Sequence, residues 1–168
     1  MFRELRRSRQ ALSPEACDAI LNRGSSGVLA LAGDDGYPYA VPLSYGYDGG
    51  KLYFHSAKTG HKLDAIRRQP KASFCVIDRD QVVPAEYTTY FRSVIAFGTV
   101  RVLEEDADKR AAIGKLAAKY APGDDPARRD AAIHQEWDAL CLLEMTVEHL
   151  SGKEAIELVR QRGTEDLP

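Results

Sequence analysis

Three apolar segments follow one another between residues 27 and 56 with only a turn between each pair. They cover residues 27–32, 38–47 and 51–56. The links are Gly33-Asp34-Asp35-Gly36 and Asp48-Gly49-Gly50, both rich in residues that accept tight-turn backbone angles. Links this short join antiparallel neighbours, because a parallel pair needs a crossover of about a dozen residues or more. This stretch therefore excludes a doubly wound parallel sheet and points to hairpin-built β architecture.

The rest of the chain extends that reading. Ser13-Pro14-Glu15 reads as a helix start, with Ser as N-cap, Pro at the first helical position and an acid in the first turn. That helix ends at Arg23-Gly24, with Gly24 expected as a left-handed cap. Residues 61–69 read as a short helix with Leu63 and Ile66 buried, stopped by Pro70. Residues 72–77 form a fourth strand, 78–86 a polar loop, and 90–103 a fifth strand bent at Gly98. Helices follow over 107–120, with Ile113, Leu116 and Ala117 at helical spacing, and over 127–137. Residues 140–150 make the last strand. The fold class expected is mainly β with flanking helices, a six-stranded antiparallel barrel. Residues 1–12 form a basic segment, 13–157 one domain, and 158–168 a C-terminal tail.

The 168 residues can enclose one real core, and the composition, 44% hydrophobic and 29% charged, is that of an ordinary globular protein. A net charge of −2 provides no bulk field for nucleic acid or an anionic membrane. Arg3, Arg6, Arg7 and Arg9 read as a solvated or packed tail rather than a nucleic-acid arm. Cys17, Cys75 and Cys141 are odd in number and far apart, without a C-x-x-C pair, so no metal site is expected and a reducing, cytoplasmic setting is. The start has no apolar leader pattern, and no run approaches the ~20 apolar residues of a spanning helix.

Chemistry concentrates in Tyr53-Phe54-His55-Ser56-Ala57-Lys58-Thr59-Gly60-His61-Lys62-Leu63. A strand ends in polar side chains, a glycine turn follows, and a basic pair opens a helix. The first helical N–H groups lack internal partners and carry the positive end of the dipole, which suits a phosphate. Lys62 adds a full charge, His61 a second when protonated, and Ser56 a hydroxyl. Lys62 fits equally well as a surface helix residue. His55 alternates with Phe54, so it faces outward if Phe54 is core; it is a candidate proton donor or a structural hydrogen-bonder. On the second strand Ala40, Pro42, Ser44 and Gly46 present a small, nearly flat face. A planar ring could lie there, or another packed or solvated surface.

These segments, in this order, resemble the FMN-binding split-barrel superfamily of pyridoxamine-phosphate-oxidase-like proteins, and most of all its 5-nitroimidazole reductase group. The carrying residues are Gly36-Tyr37-Pro38-Tyr39-Ala40-Val41-Pro42-Leu43, then Tyr53-Phe54-His55 with Gly60-His61-Lys62-Leu63, then Tyr90-x-Arg92-Ser93-Val94 with Gly98, and Ser151-Gly152-Lys153-Glu154. The resemblance implies an FMN-binding split β-barrel and a homodimer with FMN at the subunit interface. Val41, Pro42, Leu43 and Ser44 would lie along the flavin ring, with His55 and Ser56 beside it. His61 and Lys62 would hold the phosphate, and Ser93 would complete the site. His55 matches the histidine that this group places near its substrate. The implied activity is oxidoreduction of a small organic acceptor such as a nitroaromatic, with an unspecified electron donor. The alternatives are a non-catalytic flavin binder or sensor, or a haem or deazaflavin binder, with His149 or His55 as the axial candidate for haem. The substrate-phosphate motif of true pyridoxamine phosphate oxidases is not visible in residues 161–168, which directs the expectation away from that vitamin oxidase.

Overall fold

The computed structural model describes residues 2–165, with side chains to residue 162. Helix α1 (Pro14–Arg23) starts where Ser13 accepts the Ala16 N–H and leads into strand β1 (Ser26–Ala32). Strands β2 (Pro38–Ser44), β3 (Gly46–Asp48) and β4 (Lys51–Ala57) follow, then helix α2 (His61–Arg68). Strands β5 (Lys71–Val83) and β6 (Thr88–Val102) form a long hairpin. Helices α3 (Asp106–Tyr120) and α4 (Pro126–Glu136), strand β7 (Leu140–Glu154) and helix α5 (Ile156–Glu165) complete the chain.

All strand pairs are antiparallel, in the order β2-β1-β5-β6-β7-β4-β3. The sheet has seven strands and its hydrogen-bonded order is unclosed, where six strands and a barrel were expected. The difference lies at Tyr45. Residues 38–47, expected as one strand, break there. The Tyr45 N–H donates to the Tyr120 hydroxyl at 2.9 Å, and its carbonyl lies 2.9 Å from the same oxygen. The backbone bonds of Tyr45 thus go to α3 instead of to a neighbouring strand. The chain pairs with β1 before this point and with β4 after it, so the two ends of the sheet order are consecutive in sequence.

One face of the sheet carries the core. Leu29, Phe54, Phe74, Val94 and Ala96 are each fully buried there, and α1 and α2 add Ile20, Leu21, Leu63 and Ile66. A second cluster lies under α3, where Leu116 and Ala112 cover Tyr53 and Leu142. The strand alternation expected for β4 holds, but Tyr53 is buried because α3 lies over its side of the strand. Gly98 sits at the β6–β7 bulge, where any Cβ would collide with the Thr146 carbonyl. Gly24 is not a left-handed cap. Its backbone is extended, and its small size admits the Tyr45 hydroxyl, which lies 2.6 Å from where a Cβ would stand.

Two expected irregular segments are ordered. The 78–86 loop is mostly strand, since β5 runs on to Val83 and pairs with β6 across the hairpin. The expected tail from 158 is helical as far as Glu165, with Leu158 buried; residues 166–168 lie outside the described part. The N-terminal segment docks on β7. Ala11 bridges Lys153, and the Leu12 N–H donates to the Gly152 carbonyl. Among the described residues no helix is long and apolar enough to cross a membrane, and no group of three metal-ligating side chains occurs.

Three carboxylates, Glu144 and Glu154 buried and Asp78 partly so, tie the elements together. Asp78 is held by Arg23 at 2.6 Å and Arg92 at 3.4 Å; Arg92 also holds the fully buried Glu154 at 2.9 Å, which Arg162 of α5 meets from the other side. Glu144 is clamped by Lys51 at 3.1 Å and Arg101 at 2.9 Å. Burial pushes both Asp78 and Glu144 upward, but their cation partners outweigh it and hold both below the usual carboxylate values. The unfolded chain therefore takes up these protons first on acidification. This contribution is complete above the ordinary values of 3.8 and 4.5 and is lost as pH falls through the lower folded ones. Urea midpoints measured from pH 7 down to pH 3 are expected to fall toward the acid end. An Asp78→Asn, Glu144→Gln variant is expected to be weaker at pH 7 and to show a shallower fall.

Candidate functional site

The polar end of β4 and the start of α2 are placed by apolar neighbours on either side. Leu52 and Phe54 anchor β4 in the core, while Leu63, Ala65 and Ile66 bury the inner side of α2. Between them the chain turns through Lys58-Thr59-Gly60. Gly60 has φ of 125° and ψ of 168°, with nothing within 4 Å of a built Cβ. Only glycine adopts that conformation freely, and it leaves the first turn of α2 open to a ligand.

That first turn lacks a side-chain cap. The Leu63 and Asp64 N–H groups both take the Gly60 carbonyl, at 2.9 and 3.2 Å. The N–H groups of His61 and Lys62 precede these bonds and have no acceptor within the helix. A groove of about 390 Å³ opens in front of them, lined by Tyr39, His55, Ser56, Gly60, His61 and Lys62. Lys62 is half-buried, and no carboxylate pairs with it among the described residues. Burial pushes its ammonium below the usual lysine value. His61 differs. Its ring stacks on Tyr39 at 4.0 Å, and its Nε2 lies 3.4 Å from Asp34, a carboxylate also held by Arg68 at 3.0 Å. The groove thus presents one unmatched cation, two free N–H groups and a histidine shared with an acid. An anion completes such a set.

His55 stands at the junction of two grooves. It is exposed and lies opposite Leu142 of β7. On its other side a second groove of about 340 Å³ runs beneath α3 and α4, where Ser44 and His55 meet Ile113, Leu116 and Ile133. The sequence reading brought Ser44, His55, Ser56, His61 and Lys62 together, and the structure places each on one or both of these grooves. Val41 and Leu43 behave differently. Their side chains pack on the core, so only their backbone is available to a ligand, while Pro42 and Ser44 face out.

Ser93 is not part of this constellation within one chain. It lies opposite Ile77 and Lys153. Lys153 is near the far end of β7 from Leu142, the residue facing His55. Two contributions escaped the sequence reading. Tyr39 belongs to the core-packed side of β2, and nothing local signals its stack on His61. The α3–α4 wall was legible only as apolar residues at helical spacing, with no sign of what they cover.

On the side of the sheet away from the core α3 covers β4 and its neighbours, whereas across β2, β1, β5 and β6 that side presents rows of residues that are not buried. Pro42, Val28, Cys75, Ile95 and Ser151 are successive partners across β2, β1, β5, β6 and β7, none of them buried. The next row is Ala40, Ala30, Ser73, Phe97 and His149. His149 stacks on Phe2 of the N-terminal segment at 4.5 Å. Pro42, which the resemblance places along a flavin ring, and Ala40 of the same small strand face are the edge of this open sheet face.

Comparison with known proteins adds a family. A sequence model described as pyridoxamine 5'-phosphate oxidase matches residues 13–154. An uncharacterised protein of Rhizobium meliloti strain 1021 is 31% identical over 94 residues, covering 56% of this chain; the chain spans 57% of that relative's length. A proposed 5-nitroimidazole antibiotic resistance protein from Bacteroides thetaiotaomicron superimposes with a TM-score of 0.72 over 86% of each chain at 20% identity, a likeness of fold. A FAD-binding protein from Mesorhizobium loti does so with a TM-score of 0.63 at 26% identity, over 87% of this chain and 97% of its own.

Proposed function

The chain belongs to the pyridoxamine 5'-phosphate oxidase family, and from that premise we propose that it is an FMN-dependent oxidoreductase acting on a small organic acceptor of the nitroaromatic kind. The observation that carries the reading is Lys62: a half-buried cation without a counter-ion, beside two free helical N–H groups, over a glycine turn that leaves room for a ligand. These residues fit a phosphate monoester. The flavin relative from Mesorhizobium loti supports the cofactor class, and FMN is preferred to FAD because the anchor suits a terminal dianion.

A bound flavin would supply the electron transfer. The protein's own residues would do the rest. Lys62, His61 and their N–H groups hold the phosphate, Ser56 adds a hydroxyl, and the small outward face of Pro42 and Ser44 lies along the ring with the backbone of Val41 and Leu43. His55, at the mouth shared by the two grooves, holds a proton for the acceptor. The open sheet face supports a homodimer in which a second copy covers the Ile95 and Phe97 rows and brings its own Ser93 toward this site.

Titration of flavin fluorescence tests the cofactor, with riboflavin measured alongside FMN. Tight FMN binding and weak riboflavin binding are expected. Equal affinity for the two would remove the phosphate anchor, and no binding of either would remove the flavin reading. An FMN-loaded protein that turns over no pair of nicotinamide reductant and nitroaromatic acceptor would be a flavin carrier instead.

A further inference from the structure

Helix α4 is held at its ends and unpacked between them. Asp125 caps its start, accepting the Ala127 and Arg128 N–H groups at 2.7 and 3.3 Å. The Arg129 Nη2 reaches back to the Ala121 and Asp124 carbonyls of the α3–α4 link at 3.4 and 3.5 Å. At the other end the Trp137 ring lies under Lys109 and Arg110 of α3, at 4.6 and 4.7 Å. The structure describes all eleven residues of α4, and none is buried. Helices this short are marginal in water and take their stability from an apolar face packed on a neighbour. Ile133 is the large apolar residue of α4, yet it lies outside both core clusters and lines the groove of about 340 Å³ instead.

The walls of that groove define what would fill it. Ile113, Leu116 and Ala117 of α3 line it with Ile133, and Ser44 and His55 add polar groups, His55 bordering the phosphate groove as well. The Arg129 guanidinium is committed to the α3–α4 link through Nη2, and its Nε is closed off in the interior. Lys62 lines the other groove, while Asp124 lines this one and faces Arg128 at 3.8 Å. An anion would therefore lose its hydration among apolar walls, beside a carboxylate and with no cation to compensate. A neutral ring loses little and covers the apolar sides of both helices. An apolar cavity of about 150 Å³ holds benzene, so this groove holds a substituted ring. We propose that the groove is the binding site of the acceptor and α4 its lid. An uncharged single-ring aromatic bearing an acceptor oxygen, such as that of a nitro group, enters between α3 and α4. Its ring supplies the packing that Ile133 lacks, and its oxygen meets His55 and Ser44. That the occupant is the electron acceptor rests on the functional reading above; the closing of α4 on a neutral ring does not require a flavin.

Hydrogen exchange of the full chain, followed by mass spectrometry over residues 126–136, tests this with 4-nitrotoluene and 4-nitrobenzoate. The two probes share ring and nitro group and differ in charge. Exchange is measured on FMN-free protein and again with FMN added, without reductant. At saturation 4-nitrotoluene is expected to slow exchange in α4 by about 5-fold or more, and to bind about 10-fold more tightly than 4-nitrobenzoate. Ile133→Asn, at a position outside the core, is expected to abolish the slowing and weaken binding. Ala117→Phe fills the groove from α3, and is expected to slow α4 exchange with no probe present and to exclude both probes. The lid is overturned if 4-nitrotoluene leaves α4 exchange unchanged with and without FMN, or if 4-nitrobenzoate binds as tightly. It is overturned equally if a folded Ile133→Asn or Ala117→Phe protein responds to 4-nitrotoluene as the wild type does. Slowing of α4 in a protein that binds no FMN would leave the lid standing and remove the flavin reading. FMN binding with α4 unaffected by either probe would remove only the lid.

Discussion

Replacing Lys62 with alanine is expected to weaken FMN binding by about 10- to 150-fold and to leave riboflavin binding unchanged. The range is the ~1.5–3 kcal/mol of one charge-assisted hydrogen bond to phosphate. Lys62 carries it because its competitors are compromised. His61 is already committed in part to Asp34 at 3.4 Å, so alanine at His61 is expected to cost less. The pH dependence has a definite sign. The second phosphate ionisation lies near pH 6, so affinity rises as pH climbs through that region and the ligand becomes a dianion. It falls again as pH passes through the Lys62 value, which burial has lowered. The alkaline loss therefore begins earlier than for a solvent-exposed lysine, and the Lys62→Ala protein lacks it. Fluorescence titration of both proteins with both flavins between pH 5 and pH 10 measures the whole set. Equal losses of FMN and riboflavin would move the phosphate elsewhere.

The site was legible because its signals are local. A strand, a glycine and a basic helix start occupy ten consecutive residues, and Gly60 adopts the backbone that its residue type alone permits freely. The two-residue alternation of β4 likewise set Phe54 inward and His55 outward, as found. Signals failed where the stabilising partner is remote. The outer half of the β5–β6 hairpin reads as a loop because Asp78, Arg79, Asp80 and Gln81 have no core to face. Its order comes from the cross-strand ladder and from ion pairs such as Arg23–Asp78, 55 positions apart. The split of residues 38–47 into two strands has the same origin, since the hydroxyl that receives the Tyr45 backbone belongs to Tyr120, 75 residues on. The stack of Tyr39 on His61 and the meeting of His55 with Ile133 across the second groove are tertiary facts of this kind. No spacing in the sequence relates them.

Ser93 leads to the other large effect. Its place beside Lys153 keeps it from its own chain's His55, yet it looks out from the same uncovered sheet as Ile95. If a second copy of the chain covers that sheet, Ser93 of each copy can approach the flavin groove of the other. Ile95 lies near the middle of the rows, between Cys75 and Ser151. An arginine there would bring a charge into each half of a two-fold contact, and a buried charge without a partner costs several kcal/mol. Ile95→Arg is therefore expected to turn a dimer into a monomer in sedimentation velocity at micromolar protein. FMN affinity is expected to drop by more than 100-fold with it, although no residue of the phosphate groove has changed and the monomer keeps its core, since Ile95 lies outside it. The FMN loss should recover as protein concentration is raised enough to restore pairing. A wild-type protein that is monomeric while binding FMN tightly would confine the flavin to Pro42, Ser44, His55, Ser56, His61 and Lys62 of a single chain and leave Ser93 without a part. A variant that stays dimeric with its FMN affinity intact would place the interface on another surface.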